Sequence, residues 1–376
     1  MTNERNYCTK FLSVCDTIMY VNPLFLSMAA TTENSPWHRE SNVLVHTVMV
    51  VEEYVRLVTS EKTPDEWNIY DYFGGLCCLF HDVGKPAAKA PKYSESRGDY
   101  FAFHGHEILS AREFENFAIL NKPLLGLDEQ DIFIVSWMIE HHMPWAITDK
   151  HKLAELKATC NHYHPTNLLP IFTRALLADQ YGRIADDQPA KNVAAEEWVR
   201  VLHETEYTVT PNLAYILNDT SKLMFVPIGA SGSGKSTFFN EYIKPMPGRT
   251  FQKFSLDDLR HEFYNQTDYA DAYAQSAEDN TFAAKANERF MSFVKQGVDL
   301  YIDNTNLSKK RRAFYVSEAK KRGYIVTAVY FINPIDTLIS RQTTRTDKNV
   351  PVDSVRRQYM SVQTPSIGEF ASIIVR

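Results

Sequence analysis

The chain has 376 residues, with 44% hydrophobic and 12% aromatic residues and a formal net charge of −6. This composition excludes a disordered chain, and no run of about 18–20 apolar residues predicts a membrane-spanning helix. At about 100–200 residues per domain, the length predicts two domains. Because the five cysteines include no C-x-x-C pair and no secretory signal is expected, we expect a cytoplasmic protein with reduced thiols.

Residues 1–205 show helical periodicity with short breaks, and strand-like runs are scarce there. Gly84 and Pro86 end the second predicted helix, and Gly105 precedes the third. This part of the chain is therefore expected to form an all-α domain. The predicted helices are Asn42–Leu57, Glu66–His81, His106–Leu120, Asp128–His142, Thr166–Arg183 and Ala194–Glu204.

Short apolar runs then alternate with helical stretches, a pattern that predicts a parallel sheet with helices on both faces. The pattern changes near Thr208–Ser221, so we expect an all-α domain over 1–215 and an α/β domain over 216–376. The predicted strands are Lys222–Ile228, Thr250–Ser255, Val298–Asp303 and Tyr324–Ile332. The predicted helices between them are Ser236–Ile243, Asp279–Lys295 and Lys309–Arg322.

Charge is unevenly divided along the chain. Residues 219–376 carry 22 Lys and Arg against 17 Asp and Glu, whereas the rest carries 18 against 29. A basic half could hold a polyanion directly, and an acidic half that handles phosphate would need metal cations. Such asymmetry is common, so charge alone is a weak indication of a nucleic-acid partner.

A complete phosphate-loop motif, G-x-x-x-x-G-K-[ST], follows the first predicted strand and precedes a helix. Its glycines let successive backbone N–H groups face one phosphate, and the helix start adds a positive dipole end. We expect Lys235 to reach the β- and γ-phosphates of ATP or another nucleoside triphosphate, and Ser236 to hold Mg²⁺. The predicted nucleotide-binding residues are Gly229, Ala230, Ser231, Gly232, Ser233, Gly234, Lys235, Ser236 and Thr237.

Carboxylates follow the next two predicted strands, at the same edge of the sheet as the phosphate loop. A hydroxyl acceptor needs a base to take its proton, and either Asp257 or Asp258 fits that role. Alternatively, Asp257 caps the helix that begins there. Asp303 is a candidate to support Mg²⁺, to lie near the substrate phosphate, or to pair with Arg260.

Arg341 and Arg345 are four residues apart, which predicts that they share one helical face. They are candidates to close over the phosphates as negative charge builds during transfer. The alternative is an ordinary solvated helix face.

The order of these motifs over residues 220–365 resembles the kinase domain of bacteriophage polynucleotide kinase-phosphatase. The motifs are GxxGxGKST, S-x-D-D-x-R, D-N-T-N, and R-x-x-x-R before V-P. The resemblance implies that Asp257 is the base toward a polynucleotide 5′-hydroxyl and that Arg260 contacts the acceptor phosphate. It also implies that Arg341 and Arg345 form the lid. Ser255 and Leu256 stand where an Asn-Arg-like pair is expected.

The helical half holds an ordered set of histidines and aspartates that suits a catalytic metal, which needs several ligands from separate elements. The adjacent pair His81 and Asp82 is decisive, because neighbouring side chains on a helix point about 100° apart. Both can reach one ion only near a helix end, which the Gly84-Lys85-Pro86 sequence supplies. The set is His46, His81, Asp82, His106, His141, His142 and Asp179.

This set resembles the HD phosphohydrolase superfamily, in particular the HD domain of bacterial CCA-adding nucleotidyltransferases. The resemblance rests on Trp37–Glu40, Val43–Thr47, Leu79–Pro86, Phe103–Glu107 and Ala178–Arg183. It implies one metal held by His46, His81, Asp82 and Asp179, with His106 and His142 toward a second metal or the phosphate. The doubled His141-His142 leaves that last assignment open. Lys85, Arg183 and His38 are implied to steady the substrate phosphate.

The resemblance implies metal-dependent phosphoester hydrolysis by a metal-activated water. Imidazole ligands favour Mn, Co, Ni, Fe or Zn over Mg. Combined with a 5′-kinase, this activity predicts an RNA end-healing enzyme. It would remove 2′,3′-cyclic phosphate and 2′- or 3′-phosphate ends and phosphorylate 5′-hydroxyl ends.

The expected partners are RNA ends, with tRNA among the candidates, and DNA 5′ ends as a second class. No K-x-D-G motif is present, so a separate RNA ligase is expected to seal the healed ends. The first alternative is an HD nucleotidase fused to a nucleoside or small-metabolite kinase. The second is a nucleotide-gated signalling protein with a degenerate HD half. The oligomeric state is left open.

Overall fold

A computed structural model of the chain describes residues 6–33, 38–95, 98–162, 168–206, 221–265, 268–345 and 350–376. The chain divides into two compact units, Met1–Thr208 (unit 1) and Val209–Arg376 (unit 2). The predicted domain boundary at 215/216 and the predicted motif residue Trp37 lie outside the described residues.

Unit 1 is predominantly helical, and all six predicted helices are present with ends shifted by up to six residues, His106–Leu120 without any shift. The predicted helix start at Thr166 lies outside the described residues. Five further helices, which begin at Tyr7, Pro23, Lys85, Lys122 and Lys150, were not predicted. The helices are α1 (Tyr7–Ile18), α2 (Pro23–Ala29), α3 (Val43–Thr59), α4 (Ile69–Phe80), α5 (Lys85–Ala88), α6 (His106–Leu120), α7 (Lys122–Leu125), α8 (Glu129–Glu140), α9 (Lys150–His162), α10 (Leu169–Tyr181) and α11 (Gln188–Glu204).

The prediction of an all-α domain is wrong in one place. Strands β1 (Ala90–Ser94) and β2 (Gly98–Ala102) form an antiparallel hairpin, with Lys92 paired to Tyr100. The segment lacks the apolar alternation of a half-buried strand, and its first strand is mostly exposed. Pairing between the two strands, rather than burial, holds this hairpin in extended conformation.

Helix α4 lies at the centre of unit 1, because all of its residues from Asp71 to Phe80 are buried. It packs against α3, α8 and α10. Two glycines on α4 allow this crowding, since a Cβ at Gly74 would meet the Tyr54 ring at 2.5 Å and one at Gly75 would meet Phe11 at 2.8 Å. The end of α4 is thereby held deep inside the unit.

Unit 2 contains a sheet of five strands, β3 (Lys222–Ile228), β4 (Phe251–Phe254), β5 (Asp299–Ile302), β6 (Tyr324–Tyr330) and β7 (Ser372–Val375). Their order in the sheet is β4-β5-β3-β6-β7, and every neighbouring pair is parallel. The four predicted strands and the parallel sheet are confirmed, and β7 was not predicted. Because all strands are parallel, their carboxyl ends form one edge that carries the phosphate loop.

The helices of unit 2 connect these strands. The helices over Tyr269–Glu278 and Val352–Met360 were not predicted, whereas a helix beginning near Asp257 was an alternative and a helical segment was expected at Arg341. Helix α12 is followed by a π turn over Phe239–Ile243, where an α-helix was expected to continue. The helices are α12 (Lys235–Phe238), α13 (Leu256–Tyr264), α14 (Tyr269–Glu278), α15 (Phe282–Gln296), α16 (Lys309–Lys320), α17 (Ile335–Thr343) and α18 (Val352–Met360).

Among the described residues, no single helix has the length and apolar character to cross a membrane. The bent pair α1 and α2, at 72° to each other, reaches that length and composition only when the two are taken together. All five cysteines are buried and none forms a disulfide, as the sequence predicts.

Gly182, just after α10, provides a test of how α3 and α10 are held together. A Cβ there would lie 2.6 Å from the backbone N and Cα of Val50 on α3, neither of which can move without shifting the helix. We expect Gly182→Ala to destabilise unit 1 by about 1–3 kcal/mol through overpacking.

All five tryptophans lie at or before Trp198, so tryptophan fluorescence during urea unfolding follows unit 1 alone. The variant should unfold at a lower urea concentration than the wild type with a similar slope. An unchanged midpoint would show that the two helices do not depend on this contact.

Candidate functional site in each unit

The predicted metal ligands of unit 1 lie on or just beyond five helices and converge around Asp82. His81 is the C-cap of α4 and His106 is the first residue of α6, while His142 lies two residues after α8. His46 lies on α3 and Asp179 on α10. The expectation that His81 and Asp82 lie at a helix end is confirmed.

The orientation of four imidazoles is fixed by backbone carbonyls. Since a carbonyl only accepts hydrogen bonds, each Nδ1 must carry the hydrogen, and in the neutral ring Nε2 then presents a lone pair. This is the arrangement typical of metal-binding histidines. The Nδ1 contacts are His46 to Gly182 O at 3.1 Å, His81 to Cys78 O at 2.8 Å, His106 to Phe103 O at 2.8 Å and His142 to Ile139 O at 2.7 Å.

The four Nε2 atoms lie on two sides of the buried Asp82 carboxylate. Oδ2 is 3.6 Å from His46 Nε2 and 3.2 Å from His81 Nε2. Oδ1 is 3.2 Å from His106 Nε2 and 3.8 Å from His142 Nε2. Asp179 Oδ1 adds a carboxylate oxygen 3.2 Å from His46 Nε2.

These donors fit divalent cations. The described residues include two adjoining groups whose ligand atoms lie within 4.8 Å of one another: His46, His81 and Asp179, and Asp82, His106 and His142. Nε2 of His106 and Nε2 of His142 are only 3.2 Å apart, and facing lone pairs repel unless a proton or cation separates them. Apart from these imidazoles and an ion pair with Lys85, both buried Asp82 oxygens lack a hydrogen-bond partner within the described residues.

The choice between the doubled histidines follows from their positions. His141 stacks on the Trp137 ring at 4.6 Å, and its Nδ1 donates to Trp137 O at 2.8 Å. It belongs to neither donor group among the described residues. His142 is therefore the candidate ligand.

Burial and neighbouring charges shift the pKa values of His46 and His142 in opposite directions. Burial, reinforced by His106 and His81, lowers the pKa of His142 to about 3, so its ring is neutral near pH 7. For His46 burial also opposes the charged form, but Asp179 and Glu40 outweigh it and raise the pKa to about 9. A cation that binds His46 therefore has to displace a proton.

The three residues predicted to hold substrate phosphate line one cavity of about 610 Å³ together with the donor groups. Lys85 Nζ lies 2.8 Å from Asp82 Oδ2 and 2.7 Å from Glu33 Oε1. Arg183 Nη2 lies 2.8 Å from Asp179 Oδ1. Both cations are thus paired with carboxylates at the wall of the cavity, where a phosphate group could reach them.

His38 and two glutamates that were not predicted as site residues, Glu33 and Glu40, lie beside His46. His38 Nδ1 is 3.5 Å from Glu40 Oε2 and 3.7 Å from Glu33 Oε2. Glu40 also lies 3.5 Å from His46 Nδ1 and so helps to orient that ring. Because Glu40 is two residues from His38, the sequence could have indicated Glu40 as a site residue. No neighbouring residue in the sequence indicates that Glu33 belongs to the site.

The adjacent histidines allow a matched test of the donor groups. We expect His142→Ala to weaken binding of Ni²⁺ or Co²⁺ by about ten-fold or more, because one inward-facing lone pair is lost. His141→Ala should leave metal affinity unchanged, since His141 belongs to neither group. Isothermal titration of the metal-free protein measures both; equal effects in the two variants would contradict the assignment.

In unit 2, the phosphate loop connects β3 to α12 as predicted. Gly232 and Gly234 have φ of 87° and 95°, a region that other residues rarely adopt. Lys235 Nζ donates to Gly229 O at 2.9 Å and to Ala230 O at 2.8 Å, so the lysine lies folded along the loop. Residues Ser231–Phe238 of the loop and α12 line a cavity of about 860 Å³.

One side of this cavity is lined by Asp257, which is paired with Arg260. Ser255, not Asp257, caps α13, because its side chain accepts from Asp258 N at 3.1 Å. The alternative that Asp257 is the N-cap is therefore wrong. Asp257 Oδ1 instead pairs with Arg260 Nη1 at 2.5 Å, and Arg260 Nε donates to Ser276 Oγ at 2.9 Å.

Lys253 is a site residue that sequence reasoning missed. Its Nζ lies 3.0 Å from Asp303 Oδ2 and 3.5 Å from Asp258 Oδ2. Although burial opposes the charge, these two carboxylates raise the pKa of Lys253. The alternative that Asp303 pairs with Arg260 is wrong, since Lys253 takes that place. The position of Lys253 near the end of β4 could have indicated that it lies close to the carboxyl edge of the sheet.

The two predicted lid arginines do not share a helical face. Helix α17 ends at Thr343, so Arg345 lies beyond it. The Thr343 and Thr344 hydroxyls donate to the carbonyls of Ser340 and Arg341, a local bonding that competes with helix continuation. Arg341 Nη1 donates to Gly232 O at 2.8 Å, and both arginines still line the cavity.

Comparisons with known proteins bear on unit 2. A family model described as an AAA domain (AAA_33) matches residues 224–365. Residues 224–365 form a P-loop kinase-like domain. Such a domain implies a bound nucleotide with Mg²⁺.

A relative from Autographa californica nuclear polyhedrosis virus, named as a bifunctional polynucleotide kinase/RNA ligase, is 27% identical over 149 residues. The match covers 37% of this chain and 21% of the relative. The chain thus spans about a fifth of the length of the curated relative it matches.

Proposed function

We propose that the chain is an RNA end-healing enzyme with two activities. Unit 2 would phosphorylate 5′-hydroxyl polynucleotide ends from ATP or another nucleoside triphosphate. Unit 1 would act as an HD-type metal-dependent phosphohydrolase that removes 2′,3′-cyclic phosphate and 2′- or 3′-phosphate ends. Their combined products, a 5′-phosphate and a 3′-hydroxyl, are the ends that a separate RNA ligase joins.

The observation that carries the kinase proposal is that Asp257, which is paired with Arg260, lines the cavity that also holds the phosphate loop. In the proposed reaction, Asp257 accepts the proton of the 5′-hydroxyl as its oxygen attacks the γ-phosphorus. The bond from the γ-phosphorus to the β-γ bridging oxygen breaks, and the nucleoside diphosphate leaves. Arg260 would exchange its contact with Asp257 for the phosphate of the acceptor strand.

The donor phosphates would be held by the loop. Lys235 would exchange the Gly229 and Ala230 carbonyls for the β- and γ-phosphates, and Ser236 would hold Mg²⁺. Arg341 already lies against Gly232 O in the loop, where its charge can stabilise the transferring group. The similarity to a viral relative named as a polynucleotide kinase supports a polynucleotide acceptor over a free nucleoside.

The hydrolase proposal rests on the inward-facing Nε2 atoms around Asp82. His46, His81, Asp82 and Asp179 would hold one divalent cation, and His106 and His142 would complete a second site across Asp82. Mn, Co, Ni, Fe or Zn suits this donor set, and such a cation supplies a water of lowered pKa that can attack phosphorus. Lys85, Arg183 and His38 would orient the phosphate from the cavity wall.

Neighbouring aspartates provide a matched test of the kinase base. We expect Asp257→Asn to lower phosphate transfer from ATP to a 5′-hydroxyl oligonucleotide by about 10²–10⁴-fold, because the base is lost. Asp258→Asn should retain most activity, since the Asp258 side chain is 64% exposed and forms an ion pair with Lys253. Single-turnover transfer of a radiolabelled γ-phosphate measures both; a larger loss in Asp258→Asn would reverse the assignment.

A single RNA oligonucleotide can test both activities, if it carries a 5′-hydroxyl and a 2′,3′-cyclic phosphate. With ATP, Mg²⁺ and a panel of transition metals, the wild type should yield a 5′-phosphate and a 3′-hydroxyl. Asp82→Asn should phosphorylate the 5′ end and leave the 3′ block, and Lys235→Ala should do the reverse. Mass spectrometry of the product ends gives the result.

Two outcomes would contradict this function. Loss of both activities in either folded variant would mean that the sites are not separate. Phosphorylation of free nucleosides as efficient as that of the oligonucleotide would favour the alternative, a nucleotidase joined to a small-metabolite kinase.

A further inference from the structure

The sheet order divides the kinase cavity into two flanks. Strand β3, which leads into the phosphate loop, lies in the centre of the sheet, with β5 and β4 on one side and β6 and β7 on the other. The first flank, formed by β4 and β5, carries Lys253, Asp257 and Asp303 and is where the proposed phosphate acceptor would bind. The second flank carries Phe331, just after β6, and Arg376, just after β7, and both line the same cavity.

This division fixes the direction of the phosphate donor, an argument that rests on the proposed kinase function. If the γ-phosphate faces Asp257, the α-phosphate and nucleoside must trail away from β4 and β5. They therefore pass over the central loop toward the β6–β7 flank. The groups on that flank are the ones that the nucleoside would meet.

Two stacked aromatic residues, Phe238 and Tyr242, lie on that flank, and Tyr242 is the exposed one of the two. The Tyr242 ring stacks on Phe238 with centroids 5.1 Å apart and planes at 25°. Phe238 is buried, whereas Tyr242 is 56% exposed and lines the cavity. Tyr242 therefore presents a large flat apolar surface to the cavity.

The backbone at Tyr242 departs from ordinary helix geometry. It lies in the π turn over Phe239–Ile243, closed by Lys244 N donating to Phe239 O at 2.8 Å. Such turns are rare and are found frequently at functional sites. The π turn therefore marks this position as unusual in backbone geometry as well as in the exposure of the Tyr242 ring.

Arg376 completes the same surface from the edge of the sheet. Its guanidinium carbon lies 5.7 Å from the centroid of the Phe238 ring and 5.7 Å from that of Tyr242. Its backbone is fixed on both sides, since Arg376 N donates to Tyr330 O at 2.8 Å and Ile332 N donates to Arg376 O at 2.7 Å. A planar cation is thus held beside an exposed ring.

We propose that Tyr242 and Arg376 form the platform on which the base of the nucleoside triphosphate donor stacks. Every nucleobase has a π face, and stacking on aromatic rings with help from arginine tolerates any base. The platform therefore adds affinity for the nucleoside without selecting among ATP, GTP, CTP and UTP. Tyr242 and Arg376 are positioning residues for the donor and take no part in the transfer of the phosphoryl group.

Nucleotide binding, measured by calorimetry with Mg²⁺, tests this platform without any acceptor strand. Tyr242→Leu should weaken ATP binding by about ten-fold and leave inorganic tripolyphosphate binding unchanged, because only the base loses its partner. Tyr242→Phe, which keeps the ring, should bind ATP like the wild type, and Arg376→Leu should weaken ATP several-fold. The four triphosphates should bind the wild type within a few-fold of one another.

Three results would overturn the proposal. One is wild-type ATP affinity in Tyr242→Leu, and another is an equal loss of ATP and tripolyphosphate, which would show a general structural role. The third is tripolyphosphate binding to the wild type as tightly as ATP. Failure of the kinase function gives a different result, namely base-dependent ATP binding in a protein that transfers no phosphate to 5′-hydroxyl ends.

Discussion

The architecture of unit 1 depends on one buried charge, the carboxylate of Asp82. A buried carboxylate is strongly unfavourable unless other charges or donors face it. Here Lys85 supplies one charge, and the imidazoles of four elements face the two oxygens with their Nε2 atoms. Each ring is held from behind by a backbone carbonyl, so the fold presents its lone pairs inward and cannot easily turn them away. Such a cluster is unfavourable as a purely structural core and favourable around divalent cations.

In unit 2, the phosphate-loop motif and the carboxyl edge of the parallel sheet determine where the site residues lie. The phosphate loop lies at the central strand β3, and the carboxylates Asp257 and Asp303 follow β4 and β5, the two strands on one side of it. Ion pairs within the site hold these groups near one another, with Asp257 on Arg260 and Asp303 on Lys253. An anionic ligand in the cavity would compete with Asp303 for Lys253, which lines the cavity.

The sequence predicted what short-range patterns determine. The phosphate loop, the four strands and the position of His81 and Asp82 at a helix end all depend on residues within one or two turns. The hairpin at Ala90–Ala102 was missed because cross-strand pairing, rather than apolar alternation, creates it. Lys253 and Glu33 were missed because their partners lie 50 and 52 residues away, at Asp303 and Lys85. The shared face of Arg341 and Arg345 was wrong because spacing alone does not show where a helix ends. In each case a long-range contact or a local cap decided the outcome.

The most direct test of the central claim is anomalous X-ray scattering from crystals of the full chain grown with Ni²⁺ or Co²⁺. The account predicts anomalous peaks on both sides of Asp82, one against His46, His81 and Asp179 and the other against His106 and His142. Peaks only elsewhere on the protein, or none at these side chains under saturating metal, would contradict it.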